Sequence, residues 1–184
     1  MSGLQIDRPQ RAVSNWVSGI LVVALLIGAV LMAFLENGGA IATGGPAPAF
    51  GFERYTGGRV SSEQLKGRVV MLDFWATWCP PCVEEMPMLV ALAKEYEAKG
   101  VTFVAANDPD DSEEDLTTFI NHTVPAVRPY AAYGDRASVA GFRVRALPTI
   151  YILDRQGTII GSQTGQVSER KVRAWLDQAL LGAQ

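Results

Sequence analysis

Val69-Val70-Met71-Leu72-Asp73-Phe74-Trp75-Ala76-Thr77-Trp78-Cys79-Pro80-Pro81-Cys82 is the stretch on which the reading of this chain turns. It opens with an apolar run suited to a central strand covered on both faces, broken only by Asp73. It closes with the only two cysteines among 184 residues, three positions apart. A long helical pattern follows at once, to about Lys99, with Met86, Leu89, Val90, Leu92, Ala93 and Tyr96 on one side. Glu84, Glu85, Lys94, Glu95, Glu97 and Lys99 fall mostly on the other side, and Pro87 predicts a kink. A strand that ends in C-x-x-C and opens a helix points to thiol–disulfide chemistry.

The spacing has a physical logic. Cys79 falls at a helix N-terminus, where unpaired N–H groups and the helix dipole favour an anion. Such a site lowers a thiol pKa from about 8.5 towards about 7 or below. Cys82, one turn further in, is placed to resolve a mixed disulfide formed on Cys79. A bridge closing so short a loop stabilises a fold little, so the pair reads as a reagent rather than a staple. Neither Pro80 nor Pro81 has an N–H to donate, which predicts modest thiolate stabilisation and a reducing pair. A structural zinc site needs about four ligands. With one histidine and no third cysteine the chain does not supply them, and neither a metal nor a cofactor is expected.

Asp73 lies in the strand leading to Cys79. Burial there would raise its pKa and fit it to carry a proton to or from Cys82. Trp75 and Trp78 are expected to shape the rim of the site, Trp78 being the one placed to touch a partner.

Asp73-Phe74-Trp75-Ala76-Thr77-Trp78-Cys79-Pro80-Pro81-Cys82 followed by Glu84-Glu85-Met86-Pro87 resembles the thioredoxin superfamily, and within it the TlpA/ResA-like branch. The resemblance spans roughly residues 46 to 182. It implies a thioredoxin fold: an α/β domain with a mixed central sheet and helices on both faces. It also implies an N-terminal hairpin, a central insertion and membrane tethering outside the bacterial cytoplasm. It implies a cis Leu147–Pro148 bond facing the cysteines, with the Leu147 backbone left free to pair with an extended substrate segment. The partners implied are protein thiols and disulfides, apocytochrome c among them, and a membrane thiol donor that re-reduces the pair. Thioredoxins carry an aspartate where Asp73 stands, whereas many TlpA/ResA-like chains carry asparagine.

The remaining chain fits this frame. Trp16 to Leu35 is an uncharged run of the length that crosses a bilayer, preceded by Arg8 and Arg11. The expected organisation is a cytoplasmic segment over 1–15, a transmembrane anchor over 16–35, a flexible Gly/Pro-rich linker over 36–48 and a catalytic domain over 49–184. A cleaved signal peptide ending near Ala40-Ile41-Ala42 is the competing reading.

Phe52, Tyr55 and Val60 around Gly57-Gly58 predict a hairpin, and Ser61–Leu65 a helical turn. Val101–Ala106 reads as a strand and Ser112–His122 as a helix. Ala126–Tyr130 reads as a short strand and Ala137–Phe142 as a short helix. A hairpin turning at Asp154–Gly157 and a helix over Ser168–Leu181 close the chain. The acidic run from Asp108 to Asp115 lacks the glycine and distal glutamate of an EF-hand calcium loop. Net charge is −3 with no basic stripe, which argues against nucleic-acid binding.

Three functions remain open from the sequence: a reductase, an oxidase or isomerase using the same pair, and a Sco-type copper-delivery protein. The two-residue spacing of the cysteines and the distance to His122 count against the last.

Overall fold

Strand β3, Val69–Trp75, is buried along its whole length and lies between two partners that also build the site. The computed structural model describes residues 18–29 and 40–182, in two separate units. In the first unit residues 18–29 form helix α1. The span expected over 16–35 runs beyond the described residues at both ends, and residues 1–15 lie outside them. Among the described residues no helix is long and apolar enough to cross a membrane.

The second unit holds β1 Gly51–Arg54, β2 Arg59–Ser61, β3, α2 Pro80–Glu97, β4 Val101–Asn107 and α3 Glu113–His122. These are followed by β5 Ala131–Tyr133, α4 Arg136–Gly141, β6 Thr149–Leu153, β7 Ile159–Thr164 and α5 Glu169–Leu181. The strands form one seven-stranded sheet in the order β2-β1-β5-β4-β3-β6-β7. β3 runs parallel to β4 and antiparallel to β6, so the sheet is mixed.

Alternation along β3 divides the core. Val69, Met71 and Trp75 pack with the buried sides of α2, α3 and α5. Val70, Leu72 and Phe74 face a second cluster built from Phe50, Phe52, Phe142 and Tyr151. The helices are therefore shared unevenly: α2, α3 and α5 cover one face, while the short α4 and the chain entering β1 cover the other. Gly161 in β7 lets α5 approach, since a Cβ there would meet the Trp175 ring at 2.2 Å.

Local chemistry sets the ends of these elements. Ser112 caps α3 by accepting from the Asp115 N–H at 3.0 Å, and Asp135 caps α4 by accepting from the Ser138 N–H at 2.9 Å. The strand expected over Ala126–Tyr130 begins later. Pro125 starts a 3-10 turn through Val127, and pairing begins only at Ala131, opposite Ala105. The helical turn expected over Ser61–Leu65 is present, closed by the Leu65 N–H donating to the Ser61 carbonyl at 3.1 Å.

The flexible linker expected over 36–48 needs correction from residue 40 on; residues 36–39 lie outside the described chain. Gly44 and Ala47 donate backbone N–H groups to Ile159 and Gly157, both at 2.8 Å, and Ile159 donates to Gly45 at 2.9 Å. The Ile41 N–H donates to the Tyr151 hydroxyl at 3.0 Å, and Ala40, Ile41 and Ala47 pack on the second core cluster. Glycine and proline give this segment extended turns, yet its apolar side chains dock it against β6 and β7.

Candidate active site

Cys79 is the N-cap residue of α2, and Pro80 and Pro81 occupy the first helical positions. Cys79 and Cys82 are joined by a disulfide; Cys79 is 4% exposed and Cys82 is fully buried. The first turn of α2 offers little to an anion at Cys79. The two prolines have no N–H, and the Cys82 and Val83 N–H groups already donate to the Cys79 carbonyl at 3.0 and 3.1 Å.

Cys79 lies in a groove lined by Trp78, Pro80, Pro81, Asp108, Val139, Val144, Arg145, Ala146 and Leu147. Asp108 follows β4 and Ala146-Leu147 precede β6, so the groove crosses the carboxyl end of β3 between its two neighbouring strands. Trp78 is 62% exposed on its rim. Trp75, expected on the rim as well, is instead fully buried beneath it, with its ring 4.9 Å from that of Phe119. The period of β3 explains this: Trp75 shares the helix-covered face with Met71. The Leu147–Pro148 peptide bond is cis. The Pro148 carbonyl accepts from the Gly165 N–H at 2.8 Å, while among the described residues the Leu147 N–H and C=O have no backbone partner.

Asp73 sits in the middle of β3, opposite Ala105 and Ile150, and is fully buried. Neither of its carboxylate oxygens has a hydrogen-bond partner among the described residues. Burial pushes its pKa well above the ordinary carboxylate range, and the nearby Glu85 carboxylate pushes it further.

Glu85 was placed on the outer side of α2 by periodicity. The structure corrects this, for Glu85 is 5% exposed. Its place three residues after Cys82 and four before Leu89 sets it on the buried side of α2, where the β7–α5 loop passes at Val167. Its Oε2 accepts the Val167 N–H at 3.0 Å, and its Oε1 has no partner. Burial raises its pKa to about 7, with the Val167 bond opposing. Three positions after Cys82, it gives the site a second carboxyl group that holds a proton near neutral pH. The sequence signal for it was present, a glutamate one helical turn from Cys82 and four residues before Leu89, but its charge alone assigns such a residue to solvent.

Sequence reasoning also missed Asp111. Its Oδ2 accepts the Thr77 N–H at 2.7 Å and the Asn107 Nδ2 at 2.8 Å, and its Oδ1 accepts the Thr77 hydroxyl at 2.6 Å. One carboxylate of the acidic run thus clamps the turn that carries Trp78 and Cys79. The Asp108 N–H donates to the Trp75 carbonyl at 2.7 Å and ties the same loop to the end of β3. Among the described residues no cluster of His, Cys, Asp and Glu is arranged to hold a metal ion.

A thioredoxin-type sheet, a disulfide-forming cysteine pair at the head of α2, a cis-proline loop beside it and buried carboxyl groups behind it define a thiol–disulfide exchange protein. The chain belongs to the Redoxin family, whose model matches residues 42–180. It is 32% identical over 169 residues to the thioredoxin-like protein YneN of Bacillus subtilis, covering 89% of this chain and 97% of that one. It is 30% identical over 138 residues to the thiol-disulfide oxidoreductase ResA of the same organism, covering 75% of this chain and 76% of that one. Among solved structures, a thiol:disulfide interchange protein of the thioredoxin family from Chlorobium tepidum superposes with a TM-score of 0.66 at 26% identity, over 77% of this chain and 99% of that one. The protein is a thiol–disulfide oxidoreductase of the TlpA/ResA-like group, with Cys79–Cys82 as its redox pair.

Proposed function

We propose that this oxidoreductase works as a reductant of partner-protein disulfides outside the bacterial cytoplasm, anchored through residues 16–35. The observation that carries the direction is the first turn of α2. With prolines at its first positions and the next two amides already bonded, a Cys79 thiolate gains little from the helix terminus beyond its dipole. A poorly stabilised thiolate makes the dithiol form a better electron donor.

In this cycle the Cys79 thiolate attacks a partner disulfide, and the partner's other sulfur leaves as a thiolate that takes up a proton. Cys82 then gives up its proton, attacks Cys79 and forms the internal disulfide, and the second partner sulfur is released. Asp73 is the residue positioned to receive the Cys82 proton, and Glu85 shares the charge of the buried site. The free Leu147 N–H and C=O hold the partner as an added strand, with Trp78 covering it. Trp75 supports the turn from beneath, while Pro80 and Pro81 set the amide supply around Cys79.

The partner class that the TlpA/ResA resemblance implies is apocytochrome c, whose cysteines must be reduced before haem is attached, with a membrane thiol donor as the source of electrons. The arginines before the 16–35 run support an outward-facing domain.

The test is trapping joined to potentiometry. The full-length Cys82→Ser chain, expressed in cells, should accumulate mixed disulfides whose partners mass spectrometry identifies. The wild-type pair should equilibrate well below about −200 mV, whereas a value near about −120 mV would indicate an oxidant. Protease added to intact spheroplasts should digest the catalytic domain, and its protection would refute the topology.

A further inference from the structure

The loop from Phe142 to Leu147 brings the chain from α4 into the redox groove. α4 ends with the Arg143 N–H donating to the Ala140 carbonyl at 3.0 Å and the Val144 N–H to the Val139 carbonyl at 2.9 Å. This closure places Arg143 in the left-handed region, at φ 53°, where glycine alone is free of steric cost. An exposed arginine stands there instead. Two residues on, Arg145 lines the groove beside Cys79 and is exposed. Among the described residues it makes no ion pair. Arg136, by contrast, is engaged by Asp110. The opposing charge in the groove, Asp108, already accepts the Asp110 N–H through Oδ1 at 2.9 Å.

A guanidinium without a partner, two residues before the free Leu147 backbone, is positioned to meet a side chain of whatever segment pairs with that backbone. Cross-strand neighbours on an added strand face one another at this range. We infer that the groove selects extended partner segments carrying an acidic side chain next to the cysteine under attack, and that Arg145 makes this selection, with Arg143 adding positive potential. Val144 and Trp78 supply an apolar surface for the rest of the segment. The inference rests on the reading above that Cys79 attacks a partner disulfide.

The test uses the full-length Cys82→Ser chain, reduced. Three peptides differ only in having Glu, Gln or Lys next to a single cysteine, which is activated as a mixed disulfide with a nitrothiobenzoate. Cys79 attacks the peptide sulfur, a protein–peptide disulfide forms and the coloured aryl thiolate leaves, so each turnover is counted directly. Rates are divided by those of a small neutral thiol with the same peptides, which removes their intrinsic reactivity.

The expected order is Glu above Gln above Lys, with Glu over Lys by about fivefold at low salt, the range of an exposed ion pair. The ratio should shrink as salt rises. Arg145→Glu should reverse the order. Equal normalised rates for the three peptides, or an unchanged order and ratio in Arg145→Glu, would overturn the inference. Failure of the underlying reading looks different: no aryl thiolate would be released from any peptide, the Gln peptide included.

Discussion

Glu85→Gln should flatten the pH dependence of stability. In the folded protein Glu85 is buried, with one oxygen bonded to the Val167 N–H and the other unpaired, and its pKa is raised from 4.5 to about 7. The folded state therefore binds the proton more tightly than the unfolded chain. Stability from this group is fully present below about pH 4.5 and is lost as pH rises through about 7. At 1.36 kcal/mol per tenfold change in proton affinity, the loss is roughly 3 kcal/mol once the group is ionised in the fold. A glutamine keeps the shape and can still accept from Val167, but it has no charge to bury. Urea unfolding of the oxidised full-length chain should show wild type losing stability between pH 5 and pH 9, and the variant losing about 3 kcal/mol less. Asp73 adds a loss of the same sign in both proteins, reduced in the variant because the Glu85 charge no longer acts on it. Parallel curves for the two proteins from pH 5 to 9 would refute the argument, since a solvated Glu85 would titrate alike in both states.

Cys79→Ser should abolish disulfide reduction, whereas Cys82→Ser should leave one thiol that stalls on its partners; faster alkylation of Cys82 than of Cys79 near neutral pH would reverse their roles. Asp73→Asn should slow release of partner from the Cys79 mixed disulfide by about 10²-fold or more at neutral pH and spare the first attack. Single-turnover kinetics from pH 6 to 9 separate the two steps, and the defect should shrink as Cys82 ionises unaided. Asp111→Ala should lower the rate of Cys79 attack on a protein disulfide about tenfold, and Thr77→Ser, which keeps the hydroxyl, should match wild type where Thr77→Val does not. Equal rates for Thr77→Ser and Thr77→Val would reduce the clamp to a fold contact.

The parts of the fold visible in the sequence are those where one short-range rule dominates. Val69–Trp75 reads as a central strand because every residue but one is apolar; β4 and β6 flank it, and the two core clusters bury its faces. The helix over Ser112–His122 is legible because its first turn closes locally, with Ser112 accepting from the Asp115 N–H three residues on. Residues whose surroundings come from distant chain were misread. Glu85 meets Val167, far along the chain, and Asp111 meets Thr77 from the next strand–helix unit. Residues 40–48 have linker composition, yet they dock because the β7 edge and the turn before it offer backbone groups, and Tyr151 of β6 a hydroxyl, beside an apolar surface that no local window reveals. Trp75 was misplaced for a smaller reason: the chain turns only after it, so it still obeys the strand's alternation.

The two buried carboxyls bear on the chemistry as a pair rather than singly. Each raises the cost of ionising the other, and neither has a counter-ion: among the described residues the only polar bond to either is the Val167 N–H on Glu85. Burial makes an ionised Asp73 a strong base, and the Glu85 carboxylate beside it strengthens it further as a proton acceptor. That makes proton acceptance favourable when the mixed disulfide waits to be resolved. In the proposed cycle Asp73 takes the Cys82 proton once Cys79 is covalently engaged, because only then does the buried Cys82 have a mixed disulfide to attack.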